Sequence, residues 1–112
     1  IKRIIIRHDG FKVFPVQIEN VIAACSEVKA CCTIGRADKK HSQGKLPVVY
    51  VTLSQEVKDK LKLKEKINTL CRQKLPEYMQ PVDFVFIDKM PITANGKIDF
   101  HELENMEQND SL

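Results

Sequence analysis

Met90-Pro91-Ile92-Thr93-Ala94-Asn95-Gly96-Lys97-Ile98-Asp99 carries one lysine beside a glycine, in a stretch built to turn. Pro91 fixes its own φ and biases Met90 toward extended backbone, and Asn95-Gly96 joins two residue types that readily take φ > 0. Lys97 is therefore expected on a tight exposed turn, where its ammonium can reach a phosphate or a carboxylate. Taken alone, Asn-Gly is foremost a turn signal, and a solvated lysine after such a turn is the plainer reading.

Other residues of chemical character are less organised. Cys25, Cys31, Cys32 and Cys71 contain no Cys-x-x-Cys, and His8, His41 and His101 are scattered along the chain, so no metal centre is expected. Small buried hydrophobes explain the four thiols, with Cys25 and Cys71 on apolar helix faces and Cys31 and Cys32 on opposite sides of a strand. Their reduced state suits a cytosolic protein. The net charge of +3, from 18 basic and 15 acidic residues, falls short of the basic stripe of a nucleic-acid binder. Lys58, Lys60, Lys62, Lys64 and Lys66 alternate with Asp59, Leu61, Leu63 and Glu65, which spreads them around the solvated side of a helix. No apolar run is long enough to cross a bilayer and no N-terminal signal pattern is present, so a soluble cytoplasmic location is expected.

The elements that must position these groups follow from pattern. Ile4 to Val13 reads as a hairpin around a type I′ Asp9-Gly10 turn, and a helix enters through Pro15 with Ile18, Val21, Ile22 and Cys25 on one stripe. Val28 to Ile34 is a strand, and Gly35 to Lys45 a polar loop. Leu46 to Leu53 is so rich in β-branched residues that it is expected at the centre of the sheet. A long helix is expected from Gln55 to Lys74, capped by Ser54, with Val57, Leu61, Ile67, Leu70, Cys71 and Leu75 inward. Leu75 to Pro81 is a connector. Val82 to Ile87 is a strand buried on both faces, and Asp99 caps a short terminal helix. The expected fold is α+β, a small three-stranded sheet with packed helices and an N-terminal β-hairpin. At 112 residues this is one domain with a modest core and no room for a large cleft. Ile1 already lies inside a strand-like run, which suggests an excised domain.

Two segments, in this order and separation, resemble a known family. Ile4-Ile5-Ile6-Arg7-His8-Asp9-Gly10-Phe11-Lys12-Val13-Phe14-Pro15-Val16-Gln17-Ile18-Glu19 resembles the motif opening the C-terminal subdomain of the adenylate-forming (AMP-binding) superfamily. That superfamily includes acyl-CoA synthetases, peptide-synthetase adenylation domains and luciferases. The Pro91 to Lys97 stretch resembles its closing Pro-x-(Thr/Ser)-x-x-Gly-Lys motif. The resemblance covers essentially residues 1–112 and implies the mobile C-terminal subdomain of an AMP-forming ligase, partnered by a large N-terminal AMP-binding domain.

On that resemblance Lys97 is the adenylation lysine, with Asn95 and Gly96 supporting its loop. Gly10 lines a passage for pantetheine after the subdomain rotates, Lys12 and Arg7 stand near CoA phosphates, and Lys2 is the counterpart of the hinge. The interval from Lys2 to Gly10 is one residue longer than the usual pattern. Phe14-Pro15 is similar to the acyl-CoA synthetase form, where peptide-synthetase domains more often place an acidic residue before the proline. Gln17 departs from the commoner glutamate, while Glu19 is retained as the partner of an exposed i, i+2 pair. The implied substrates are a carboxylic acid, fatty or aryl, with ATP and CoA. Mg2+ would accompany the ATP in the N-terminal domain. The alternatives are an enzyme that loads a carrier protein, or an α+β interaction module without catalysis.

Overall fold

The computed structural model describes residues 3–41 and 43–110, with side chains as far as Met106. Two short strands, β1 (Ile5–Ile6) and β2 (Lys12–Val13), pair antiparallel as the N-terminal hairpin. Helix α1 (Pro15–Ala23) follows, with Phe14 at its N-cap and Pro15 where its missing N–H costs nothing. Strands β3 (Val28–Ala37) and β4 (Lys45–Leu53) then pair antiparallel. Helix α2 (Lys60–Lys74) and a single 3-10 turn (Glu77–Met79) lead to β5 (Asp83–Phe86), and α3 (Phe100–Asp110) ends the described chain. The sheet order β3-β4-β5 puts β4 at the centre, as its composition predicts, with β5 parallel to it.

The sheet is covered on both faces because β4 alternates. Val49 and Val51 join Ile18 and Ile22 of α1 and Leu63, Ile67 and Cys71 of α2 in one buried cluster. Val48 and Tyr50 point the other way, into a second cluster with Cys32, Ile34, Met90 and Leu103 of α3. Burying each such aliphatic side chain stabilises the fold by about 1.5–3 kcal/mol. Arg36 of β3 ties the second layer down, donating to the carbonyls of Leu103 and Glu104 and to the Tyr50 hydroxyl.

Several boundaries differ from expectation for local reasons. Helix α2 starts at Lys60, not Gln55, because Asp59 caps it by accepting from the Lys62 amide at 3.0 Å. Ser54 instead donates its hydroxyl to the Ser26 carbonyl. The inward stripe is accordingly Leu63, Ile67, Cys71 and Leu75, and Leu61, expected inside, is 70% exposed. Two residues along a helix turn by about 200°, so Leu61 and Leu63 cannot both face the sheet. The polar loop after β3 is shorter than expected, since strand pairing runs on to Ala37 opposite Lys45. Strand β5 lies at the sheet edge, buried fully only at Phe84.

Candidate functional site

The lysine loop rises from a fixed base. Met90 is buried in the second cluster, Ile98 packs against it, and Ile92 and Ile98 face each other in an antiparallel bridge. Between them the Thr93 amide donates to the Lys97 carbonyl at 2.7 Å and the Gly96 amide to the Thr93 carbonyl at 2.9 Å. The Thr93 hydroxyl accepts from the Lys97 amide at 3.3 Å. Gly96 takes φ +83°, which an L side chain resists, whereas Asn95 keeps a negative φ. The asparagine is therefore a turn residue, not a second left-handed one. Below the loop, the Asp99 amide donates to Pro91 and the Asp99 carboxylate caps α3 by accepting from the Glu102 amide. The stem is thus cross-linked by hydrogen bonds between its two arms, while Lys97 is exposed and its ammonium has no partner among the described residues. A cation held in this way is available to an anion that approaches from outside the chain.

The hairpin repeats the same construction. Arg7 donates its amide to the Phe11 carbonyl at 3.0 Å and Gly10 to the Arg7 carbonyl at 2.9 Å, with Gly10 at φ +87°. Asp9 has a negative φ, so this is a three-residue turn closed by a left-handed glycine, not the expected type I′ turn. A Cβ added at Gly10 would meet nothing within 4 Å. The hairpin is rooted in the first cluster through Ile5 and Val13, so the two glycine turns grow from opposite faces of the sheet.

The charged neighbours divide. Lys12 is exposed. Arg7 is engaged within the chain, donating to the Tyr78 carbonyl at 3.2 Å and pairing with Asp9 at 3.4 Å, while Phe11 stacks on Tyr78. Lys2, the hinge counterpart, lies outside the described residues.

Glu19 is not the exposed partner of Gln17 that the motif reading expects. Its Oε2 accepts from the Thr33 amide at 2.6 Å and from Arg3 at 2.7 Å, and the Arg3 guanidinium also reaches the Thr33 carbonyl and lies over the Phe100 ring. The pair fastens the start of the chain to β3 beside α3. Helical geometry holds the clue, because positions 17 and 19 look in nearly opposite directions.

Sequence reasoning also missed a group near the hairpin. His8 and His41 stack face to face, with ring centroids 3.5 Å apart, and both Nδ1 atoms approach Asp38 Oδ2, at 3.4 Å and 2.9 Å. Two of the three histidines that look scattered in sequence thus meet in space. The Lys40 amide first, then His41, holds the Asp38 carboxyl below its ordinary range. The cysteines are all free, with Cys71 on the inward face of α2 and Cys31 and Cys32 in different clusters, whereas Cys25, expected on a helix face, is buried in the turn just beyond the end of α1 at Ala23. Burial pushes the Cys31 and Cys32 thiols up to about 12 and Cys71 to about 11, far from reactive thiolates. No described helix is long and apolar enough to cross a membrane.

A family model described as the AMP-binding enzyme C-terminal domain matches residues 17–97. Bacitracin synthase 1 of Bacillus licheniformis is 34% identical over 90 residues, which are 80% of this chain and 2% of that protein. The 2-succinylbenzoate–CoA ligase of Lactococcus lactis subsp. lactis is 30% identical over 102 residues, 89% of this chain and 20% of that ligase. The crystal structure of Brucella canis acyl-CoA synthetase superposes with a TM-score of 0.81 at 19% identity, covering 96% of this chain and 20% of that one, a likeness of fold. The chain spans a fifth or less of the length of each.

Proposed function

Because this chain belongs to the AMP-binding enzyme C-terminal domain family, we propose that it is the mobile C-terminal subdomain of an ATP-dependent, AMP-forming carboxylate:CoA ligase for a fatty or aryl acid. The observation that carries this reading is Lys97, an exposed cation on a turn whose two arms are hydrogen-bonded to each other. In adenylate formation a carboxylate attacks the α-phosphorus of ATP and pyrophosphate leaves, so negative charge grows on the oxygens around phosphorus. An ammonium brought to that point stabilises the transition state more than the ground state. A stem anchored at Met90 and Asp99 fixes the direction of approach, and Lys97 supplies the charge.

ATP, the acid and Mg2+ fall to the rest of such an enzyme. The nearby carboxylate, Asp99, caps α3 by accepting from the Glu102 amide and so ties the base of the loop to that helix. In the second half-reaction the subdomain turns and presents the hairpin, with Gly10 beside the pantetheine thiol and Lys12 toward the CoA phosphates. The roots of the two turns in clusters on opposite sheet faces support this alternation. Lys2 is the proposed hinge, followed by the Arg3–Glu19 fastening that gives the moving body a rigid edge.

A second reading, the same subdomain in an enzyme that loads a carrier protein, is favoured by the likeness to bacitracin synthase 1. The Phe14-Pro15 pair supports the CoA ligase. The test is made on the protein joined to its adenylating domain. Acid-dependent ATP–pyrophosphate exchange followed by release of an acyl-CoA is expected. Exchange with transfer only to a carrier-bound phosphopantetheine would select the second reading, and no exchange with any carboxylic acid would leave a non-catalytic interaction module.

A further inference from the structure

We propose that His8, Asp38 and His41 form a binding site for a divalent transition metal of the zinc class, which clamps the hairpin turn to the connection between β3 and β4. The proposal is independent of the reading of Lys97. Three potential ligand atoms, one from each residue, lie within 4.8 Å of one another. Ligands 2.0–2.2 Å from a tetrahedral ion are about 3.3 Å apart. Here Asp38 Oδ2 stands 3.4 Å from His8 Nδ1 and 2.9 Å from His41 Nδ1. Both distances to Asp38 thus lie within about half an ångström of the tetrahedral spacing, and a rotation of the stacked rings would adjust the separation between the two histidine nitrogens, which lies within 4.8 Å.

The surroundings are built to hold it. The Asp38 side chain is 5% exposed, and its other oxygen, Oδ1, accepts from the Lys40 amide at 2.9 Å, which orients the carboxylate and leaves Oδ2 for the ion. Asp38 also donates its own amide to the Gly44 carbonyl. Gly44, at φ +90°, lets the hairpin come close, since a Cβ there would overlap the backbone of Arg7 and His8. The backbone thus places His8 against His41 independently of the side chains. The imidazoles are 30% and 46% exposed at the edge of a groove of about 550 Å³, which gives an ion an entry path and a fourth position for water.

Two nitrogens and one oxygen suit zinc, cobalt or nickel, while calcium and magnesium require oxygen-rich shells. Arg7, Lys39 and Lys40 line the same groove and oppose a hard cation held by charge alone.

Cobalt(II) titration of the purified, reduced protein tests the site, because its absorption reports both geometry and ligand type. The expected result is ligand-field bands of a nitrogen and oxygen shell without thiolate charge-transfer absorption, displacement of cobalt by zinc, and a higher Tm with zinc present. His41→Gln and Asp38→Asn, verified as folded by circular dichroism, should each weaken binding at least about tenfold and lose the Tm shift. His8→Gln should do the same while separating the hairpin's contribution from that of the loop. Thiolate bands, no binding at micromolar metal, or unchanged affinity in the folded variants would overturn the proposal.

Discussion

Gly10 and Gly96 close two turns of the same form, at φ +87° and +83°, each donating its amide to the carbonyl three residues earlier. In this correspondence Phe11 occupies the place of Lys97. One turn ends in an aromatic ring stacked on Tyr78 and the other in an exposed cation. The construction is shared and the chemistry differs, which is what the proposed division of the two half-reactions between the tips requires.

For Gly10, a branched side chain would enter the space that the proposal gives to the thiol. Gly10→Leu in the full-length enzyme should slow thioester formation from supplied acyl-adenylate on the order of tenfold to a hundredfold and leave adenylation nearly unchanged. Left-handed backbone costs a non-glycine residue about 1–2 kcal/mol, so Gly10→Asn, which tolerates that region better, is the control for strain. Equal losses in both half-reactions at matched thermal stability would make Gly10 a turn residue alone.

The phase of α2 gives a test free of any functional assumption. Leu63 is 4% exposed and Leu61 is 70% exposed, so Leu63→Ala should cost about 2–5 kcal/mol and Leu61→Ala within about 0.5. Urea denaturation of both variants measures the contrast. Similar values would mean that the helix is turned the other way.

Much of this fold was legible because its signals are local. The β-branched run in β4 announced the central strand, Pro15 and Asp99 announced helix starts, and the two glycine motifs located the candidate site. What stayed hidden depends on contacts distant in sequence. Asp59 outcompetes Ser54 as a cap partly because Ser54 is drawn to the carbonyl of Ser26 on another segment. Glu19 became structural only once β3 supplied the Thr33 amide, and His8 met His41 only through a hairpin seated on Gly44.

Acid should expose one such distant contact. Glu27 is held at about 2, first by the hydrogen bond from the Cys25 thiol and then by Lys66. Its folded value lies below the ordinary 4.5, so its contribution is complete above that pH and is lost as pH falls toward 2. Melting curves should therefore show wild type above Glu27→Gln near neutrality, with the difference in Tm closing between pH 4.5 and 2. A constant difference across that window would rule out the ionised pair as its source.

The central claim is tested most directly by Lys97→Ala in the full-length enzyme, with the two half-reactions measured separately. ATP–pyrophosphate exchange should fall by about a hundred- to a thousand-fold, the loss expected when one preorganised charge is removed from a developing oxyanion. Thioester formation from chemically supplied acyl-adenylate should stay within about twofold of wild type, because the proposed rotation withdraws the loop before that step. Exchange that survives the substitution, or a parallel loss in both steps, would contradict the role given to Lys97.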